Sequence, residues 1–285
     1  MKTFCVGLFR TGTTTMCEMF TRSFRSDHEF MSQEEMELFQ RRLACSATSE
    51  ELFAWVRERD AAKPLDLDSS GAHFGLVDIL AEAFPEAKFI LTLRNIYSWM
   101  NSCVGKLYGD FVGGWGSPAG VLVNCMRFLP DGQFAMEDRA NAKVCLEQLM
   151  KAWTAVNERI LKLVPADRLL VVNTERLSES IGLIADFCGI DANLIDAQHA
   201  NPGQASDFLS CFDSEGVEKL VRLHCWELMG RYYPGMTLSS HVARHRPGTP
   251  VDCGEMSRYF ALDRFVPTEF VQTRFPVADP APLPM

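Results

Sequence analysis

The sequence has no excess of positive charge and no long apolar run. Its 28 Lys and Arg residues are outnumbered by 37 Asp and Glu residues, so the formal net charge at pH 7 is −9. A surface of that sign repels polyanions, whereas nucleic-acid binding depends on clustered Lys and Arg. Nowhere do about 18 apolar residues follow one another, as a spanning helix requires. These absences argue against nucleic-acid and membrane partners, but they allow a small anion in a locally basic pocket.

Cysteine is abundant, yet it lacks the spacing of a metal site or a disulfide framework. The 10 cysteines are scattered, without any C-x-x-C pair. A chain of 285 residues can bury a full core without cross-links. Met1 to Phe9 is a short apolar run that ends at Arg10 without a cleavage site, so we expect no signal peptide. These features predict a cytoplasmic protein with mostly buried, reduced thiols and no metal.

The composition, with 47% hydrophobic and 23% charged residues, is that of a globular protein. Internal repeats and linkers are absent, so we expect a single domain over residues 1–285. Residues 105–132, which include Gly113 to Gly116, are too long for a plain connector and predict a substrate loop or lid. From about His241 onward the pattern is irregular, and the proline-rich tail 278–285 is expected to be disordered.

Short apolar runs alternate with helical patterns along most of the chain. The predicted strands are Thr3–Phe9, Pro64–Asp68, Lys88–Leu93 and Arg168–Asn173. Thr48 and Glu51 form a capping-box pattern at the start of one helix, and Cys188-Gly189 is typical of the end of another. This alternation predicts an α/β fold, in which helices flank a central parallel sheet and ligands bind at the carboxyl ends of its strands.

A glycine-rich turn follows the first predicted strand. Gly7 to Gly12 has the glycine spacing of a Walker A phosphate loop, but Thr13 stands where that loop has lysine. Backbone N–H groups of such a loop and of the helix after it still bind a phosphate. The lysine that spans the outer phosphates of a nucleoside triphosphate is missing. Arg10 and the hydroxyls of Thr13–Thr15 instead suit a shorter, doubly charged group.

The run Arg10-Thr11-Gly12-Thr13-Thr14 resembles the loop with which sulfotransferases bind the 5′-phosphosulfate of 3′-phosphoadenosine 5′-phosphosulfate (PAPS). Arg94, at the end of a predicted strand, and Ser102, eight residues later, resemble the family's element for the 3′-phosphate. The resemblance implies a P-loop-like fold and a transfer from PAPS that releases 3′-phosphoadenosine 5′-phosphate (PAP). It also implies that Thr15 belongs to the donor site.

A further resemblance lies near the C-terminus. Arg246, Gly248 and Asp252 have the spacing of another segment with which cytosolic sulfotransferases contact the 3′-phosphate, although Pro247 replaces its lysine. An Arg/His-rich surface loop is the alternative interpretation of this segment. The stretch Asn173 to Leu177 lies where the family has a segment near the adenine, but the aromatic residue of that segment is absent.

In-line sulfuryl transfer needs a group that stabilises charge on the departing phosphate oxygen and a base that deprotonates the acceptor. Arg10 occupies the place of a family lysine, and because guanidinium stays protonated we assign it an electrostatic role. For the base, His73 fits the family's histidine by position, and Asp66 and Asp68 are the alternatives. The remaining histidines, His28 among them, are expected to be ordinary surface or core residues.

The sequence thus predicts a PAPS-dependent sulfotransferase that modifies a hydroxyl or amine of a small molecule without a metal. Four aromatic residues are candidates to line the acceptor pocket: Trp99, Tyr108, Phe111 and Trp115. A P-loop nucleotide or small-molecule kinase and a non-catalytic nucleotide-binding protein are the alternatives. The sequence does not specify the acceptor or the oligomeric state, since specificity in this kind of fold lies in irregular loops.

Overall fold

The computed structural model describes residues 1–112, 144–197, 207–244 and 251–262. A five-stranded sheet lies at its centre, and every pair of neighbouring strands in this sheet is parallel. The strands of this sheet, in chain order, are β1 (Thr3–Cys5), β2 (Ser26–His28), β3 (Leu67–Ser69), β4 (Lys88–Leu93) and β6 (Leu169–Asn173). Their spatial order is β2-β3-β1-β4-β6. Two short strands, β5 (Val144–Cys145) and β7 (Phe260–Ala261), pair separately.

Helices connect the strands and cover both faces of the sheet. Those that join its strands are α1 (Thr13–Thr21), α2 (Ser32–Leu43), α3 (Ser49–Ala62), α4 (Val77–Ala83), α5 (Ile96–Val112) and α6 (Leu146–Leu163). Those that follow the last strand of the sheet are α7 (Ile181–Cys188), α8 (Ser214–His224), α9 (Trp226–Tyr232), α10 (Leu238–Arg244) and α11 (Cys253–Tyr259). This arrangement confirms the predicted α/β class with a parallel sheet.

Strand β4 shows why the sheet is buried on both faces. Phe89 and Leu91 pack into one hydrophobic cluster, whereas Ile90, which points the other way, packs into a second cluster with Met16 and Phe20 of α1. Side chains alternate between the two faces of a strand, so a continuous apolar run satisfies both. The mainly apolar sequence of β4 therefore suits an interior strand of a covered sheet, where it pairs with β1 and β6.

Local signals fixed several boundaries correctly. The Thr48 hydroxyl accepts a hydrogen bond from the Glu51 N–H at 3.2 Å, as the capping-box pattern predicts. Gly189 ends α7 with φ 71°, the left-handed conformation that favours glycine at this position. The prediction of a loop from residue 105 is wrong at its start, because α5 continues to Val112. Residues 113–132 and the tail 278–285 lie outside the described residues.

The region after His241 is more regular than predicted, since it contains the end of α10, then α11 and β7. One cysteine pair also departs from the prediction, because Cys211 and Cys253 form a disulfide that joins the 3₁₀ helix Phe208–Cys211 to the start of α11. The thiols that follow the prediction of burial are Cys5, Cys17, Cys103, Cys145, Cys188 and Cys225. Among the helices of the described ranges, none has the length and apolar character needed to cross a membrane.

The end of β1 approaches β4 so closely that only glycine fits at position 7. A Cβ on Gly7 would overlap the hydroxyls of Thr92 and Thr11 and the backbone carbonyl of Thr92. We expect Gly7→Ala to lower the free energy of unfolding by about 2–3 kcal/mol, since backbone and two buried side chains would have to move. Urea unfolding monitored by circular dichroism measures this loss.

The matched control is Gly182→Ala in α7, where a new Cβ would meet no atom within 4 Å. This exchange is expected to stabilise the protein by about 0.5 kcal/mol through the lower entropy of the unfolded chain. Equal unfolding midpoints for the two alanine variants would contradict the close approach at Gly7.

Candidate functional site

Four carbonyl oxygens of the loop between β1 and α1 accept hydrogen bonds, one from within the loop and three from residues outside it. The donor and acceptor pairs are Thr11 N–H and hydroxyl with Leu8 O, Trp99 Nε1 with Phe9 O, Arg94 Nη1 with Arg10 O, and the Thr174 hydroxyl with Thr11 O. Four successive carbonyls thus face the protein. Because the N–H of a peptide points away from its carbonyl, the bonds to Leu8 O, Phe9 O and Thr11 O direct the N–H groups of Phe9, Arg10 and Gly12 toward the concave side, whereas the Thr11 N–H is used inside the loop by Leu8 O.

The start of α1 supplies further N–H donors to the same concave side. Gly12, with φ 93°, precedes the helix in a left-handed conformation, and its carbonyl accepts the first helical bond from Met16 N–H at 2.9 Å. The N–H groups of Thr13, Thr14 and Thr15 precede that bond, as at the start of any α-helix. The Ser69 hydroxyl, at the carboxyl end of β3, fixes this turn by donating to Thr13 O at 2.8 Å. The site therefore combines a helix N-terminus with inward-facing loop amides.

Two arginines flank the loop. Arg10 is exposed, has φ 66°, and donates from Nε to the Ser102 hydroxyl of α5 at 2.9 Å. Arg94 directly follows β4 and donates from Nη1 to Arg10 O at 2.9 Å. Its Nε is buried and has no hydrogen-bond partner in the described part of the chain. Burial lowers the pKa of Arg94, because the negative charge around its guanidinium does not fully offset the loss of solvent.

The carboxylate of Glu175, in the 3₁₀ helix after β6, does not accept the hydrogen bond that Arg94 Nε could donate. Its oxygens instead accept hydrogen bonds from the Asn95 side chain at 2.5 Å and from the Tyr233 hydroxyl at 3.0 Å. An unpaired donor on a buried arginine is costly. The arrangement of Arg10 and Arg94 beside the loop thus favours a bound anion that accepts from Arg94 Nε.

His28, at the carboxyl end of β2, lies on the other side of the loop. Its Nε2 is 3.0 Å from the Thr13 hydroxyl and 3.3 Å from the Thr14 hydroxyl. The side chain is 25% exposed, so solvent or a ligand can reach it. Burial lowers the pKa of His28 below its usual 6.5, although the nearby carboxylates of Glu29 and Asp27 act in the opposite direction. The imidazole is therefore neutral at pH 7, which is the form that accepts a proton.

His73 has a different environment. It is fully buried, its Nδ1 lies 2.8 and 3.0 Å from the two carboxylate oxygens of Glu35, and its Nε2 lies 3.2 Å from Asp68 Oδ1. Burial alone would lower the pKa of His73, but these two carboxylates outweigh it and raise the pKa to about 9. His73 is thus an imidazolium whose two N–H groups are both donated. This geometry argues against the prediction that His73 deprotonates an acceptor.

The two alternative bases do not reach the loop either. Asp68, in the middle of β3, is buried and ion-paired with Arg59. Asp66 precedes β3 at the amino edge of the sheet, where its carboxylate binds Arg25 at 3.1 Å. Ligands of a parallel sheet bind at the opposite, carboxyl edge. Neither aspartate is therefore placed to accept the proton.

The structure brings most of the predicted donor-site residues together at the carboxyl edge of the sheet. They are Arg10, Thr11, Gly12, Thr13, Thr14, Thr15, Arg94 and Ser102. The Thr11 side chain is buried and donates to Leu8 O at 2.6 Å, so it shapes the loop rather than facing the concave side. Trp99 is buried as well, and its indole N–H donates to Phe9 O of the loop at 2.8 Å.

Arg246, Gly248 and Trp115 lie outside the described residues, and of Tyr108 and Phe111 only the backbone in α5 is described.

The sequence analysis missed His28 as a site residue because β2 carries no strand signal. Its three residues are polar and only half-buried, and β2 is an edge strand of the sheet. The pairing of β2 with β3 is the feature that identifies His28, since a strand parallel to β3 brings its last residue to the edge of the sheet where ligands bind.

Comparisons with known proteins match one family model. Residues 2–192 match the family model described as a sulfotransferase domain. That span includes the loop, both arginines, Ser102, His28 and His73. The curated proteins include no match to this chain.

Three solved structures are similar at low identity. A sulfotransferase from Alicyclobacillus acidocaldarius has 14% identity and a TM-score of 0.45, with coverage of 84% of this chain and 97% of that chain. The sulfotransferase domain from the Synechococcus PCC 7002 olefin synthase has 18% identity and a TM-score of 0.39, with coverage of 70% and 78%. The sulfotransferase domain from the curacin biosynthetic pathway has 13% identity and a TM-score of 0.38, with coverage of 70% and 78%.

The family model covers well over half of the 285 residues and spans the whole phosphate loop with its flanking arginines. On this match, the chain belongs to the sulfotransferase family.

Proposed function

We propose that this protein transfers a sulfuryl group from PAPS to a hydroxyl or amine of a small molecule and releases PAP. The observation that carries the proposal is the pairing of Arg10 and Arg94 beside the loop, with Arg94 Nε buried and unpartnered in the described part of the chain. A donor with two separate anionic groups provides acceptors for both the loop amides and these guanidinium groups. The reaction needs no metal.

The residues present fit this donor. The N–H groups of Thr13–Thr15, the loop amides and the exposed Arg10 guanidinium would hold the 5′-phosphosulfate. Arg94 and Ser102 would hold the 3′-phosphate, because both lie at the end of β4 and on the helix that follows it. When bound, PAPS supplies a sulfuryl group attached to a 5′-phosphate. Arg10 stabilises negative charge at that phosphate and, as a permanently protonated group, donates no proton.

The loop also favours this donor over a nucleoside triphosphate. Thr13 replaces the lysine that binds the outer phosphates in P-loop kinases, and its carbonyl is tied to the Ser69 hydroxyl. No cation on the loop itself other than Arg10 compensates for that loss within the described residues. The kinase alternative therefore has less support.

For the base we propose His28 in place of His73. His28 Nε2 lies against the hydroxyls of Thr13 and Thr14 at the mouth of the loop, and its imidazole is neutral at pH 7. A base has to lie within hydrogen-bond reach of the acceptor and near the transferred group. His28 lies beside the loop that would bind the transferred group and is partly exposed, whereas His73 is buried with both nitrogens occupied.

Arg94→Met tests the donor site. We expect PAP to bind at least about tenfold more weakly, because a charge-assisted hydrogen bond to an anion contributes about 1.5–3 kcal/mol. Isothermal titration calorimetry of wild type and variant with PAP measures the difference.

The matched control is Arg168→Met. Arg168 is also a half-buried arginine at a strand end, but it lies at the amino edge of the sheet and donates to the carbonyls of Phe84 and Ala81. This variant is expected to lose stability and to keep wild-type affinity for PAP. Equal affinity of Arg94→Met and wild type would contradict the assigned donor site.

His28→Gln tests both the reaction and the base. With PAPS and a panel of phenols, alcohols and amines, we expect wild-type turnover and a fall in kcat of roughly 100-fold or more in the variant. Affinity for PAP should stay unchanged. Because burial lowers the pKa of His28, wild-type kcat/KM should rise with pH through a pKa below 6.5 and level off near neutrality.

His73→Gln and His224→Gln, assayed in parallel, separate the candidates. His224 of α8 pairs with Glu147 of α6 and is expected to tolerate the exchange. Turnover that survives in His28→Gln but is abolished by His73→Gln would return the role of base to His73. Absence of sulfuryl transfer from PAPS to any acceptor would overturn the proposed function.

A further inference from the structure

A continuous chain of four charged side chains runs through the interior behind His28. Its members are Glu35 of α2, His73 of the 3₁₀ helix after β3, Asp68 of β3 and Arg59 of α3. Their exposed fractions are between 0% and 5%. Two carboxylates, one guanidinium and one imidazolium sum to zero charge, so each charge is compensated inside the protein.

One end of this chain binds the turn that follows His28, and the other end lies on the helix that begins directly after this turn. Arg59 donates from Nε and Nη2 to Phe30 O at 3.1 and 2.6 Å, and its guanidinium stacks over the Phe30 ring at 5.2 Å. At the other end, Glu35 lies in the first turn of α2, which starts directly after this segment. The segment between His28 and α2 is thus clamped to the interior at both ends.

This clamped turn is strained. Glu29 and Met31 have φ values of 61° and 52°, in the left-handed region that non-glycine residues adopt at a cost. Such a conformation persists only where surrounding contacts enforce it. The Glu29 N–H bond to Ser69 O at 2.8 Å and the Arg59 bonds to Phe30 O are the contacts that enforce it here.

We propose that the Glu35–His73–Asp68–Arg59 chain is a positioning device that holds the strained turn 29–31 and thereby keeps His28 Nε2 against the hydroxyls of Thr13 and Thr14. The proposal rests on the role of His28 in the proposed function. It gives His73 an indirect part in the reaction, through position rather than through proton transfer to or from an acceptor.

The burial of these four charged side chains is not explained by a gain in the stability of the fold alone. A buried ion pair is often no more stabilising than apolar residues of the same volume, because desolvation costs about as much as the pairing gains. Such a chain instead fixes the positions of its members, since the guanidinium and each imidazole nitrogen form their hydrogen bonds in only one geometry. Here the fixed geometry ends at Phe30 O, two residues from His28.

Arg59→Lys is the main test, because it keeps the charge but removes the fork that binds Asp68 and Phe30 O together. We expect kcat to fall roughly 10- to 100-fold, as for a small displacement of a reacting group, with unchanged affinity for PAP. A second variant, Glu35→Gln, keeps the shape of the side chain and one acceptor for His73. It is expected to show a smaller fall in the same direction.

The control is Asp78→Asn. Asp78 binds Arg42 of α2 and Arg159 of α6, so it also ties α2 to the interior, but through the end remote from His28. All three variants are expected to lose thermal stability, and only the two in the buried chain should lose kcat. A fall in kcat of the same size in Asp78→Asn, or a parallel loss of affinity for PAP in Arg59→Lys, would overturn the proposal.

A readout independent of turnover separates this proposal from the proposed function. NMR of protein with ¹³C,¹⁵N-labelled histidine, with His28 assigned from the His28→Gln spectrum, gives the His28 pKa directly. The charged groups that face His28 are Asp27 and Glu29 beside it, Glu18 of α1 and His73 from the 3₁₀ helix. Arg59→Lys alters none of these charges, so a change in the His28 pKa reports its position.

In Arg59→Lys, we expect the His28 pKa to rise toward 6.5 as the ring becomes more solvated, and in Asp78→Asn we expect it to stay at the wild-type value. An unchanged pKa and unchanged His28 signals in Arg59→Lys would contradict the positioning role even if wild type catalyses sulfuryl transfer. If wild type transfers no sulfuryl group, the proposed function fails, and the NMR comparison still decides whether the chain positions His28.

Discussion

The bond from Arg94 to the Arg10 carbonyl joins the two parts on which the site depends. It connects the end of β4 to the loop after β1, and it turns the Arg10 peptide so that its carbonyl faces the protein. Trp99 and Thr174 do the same for the neighbouring peptides. The bonds from Trp99 and Thr174 direct the N–H groups of Arg10 and Gly12 toward the concave side, the Thr11 N–H is used by Leu8 O, and Arg94 keeps a buried donor, Nε, for a ligand. One side chain thus shapes the loop and completes the anion site.

The opposite side of the loop is organised by buried charge rather than by backbone. The chain from Glu35 to Arg59 carries no ligand-facing group, yet it ends on the turn beside His28. Its zero net charge allows it to remain in the interior, while the neutral His28 remains available for a proton. The protein thus holds one histidine, His73, in its charged form and another, His28, in its neutral form. Burial lowers the pKa of His28, whereas the paired carboxylates raise that of His73.

The parallel sheet and the glycine-rich loop after β1 were predictable because their signals are local. The apolar run Lys88–Leu93 defines a buried strand whatever surrounds it, and the Gly7 to Gly12 spacing defines the loop. The proposed base, His28, was not predictable from the sequence. His73 follows β3 where a base is expected, but Glu35 and Asp68, 38 and 5 residues away in sequence, occupy its nitrogens. His28 lies in a short polar edge strand, and only its pairing with β3 reveals its place.

The central claim is that the two-arginine site binds an adenosine bisphosphate. A thermal-shift titration of wild type with PAP, compared with ATP and Mg²⁺, tests it directly. At about 100 times its dissociation constant, a ligand that binds only the folded state adds about 2.7 kcal/mol of stability, which is an easily measured rise in Tm. The account predicts this rise with PAP and none with ATP and Mg²⁺. A rise with ATP and Mg²⁺ alone would contradict it.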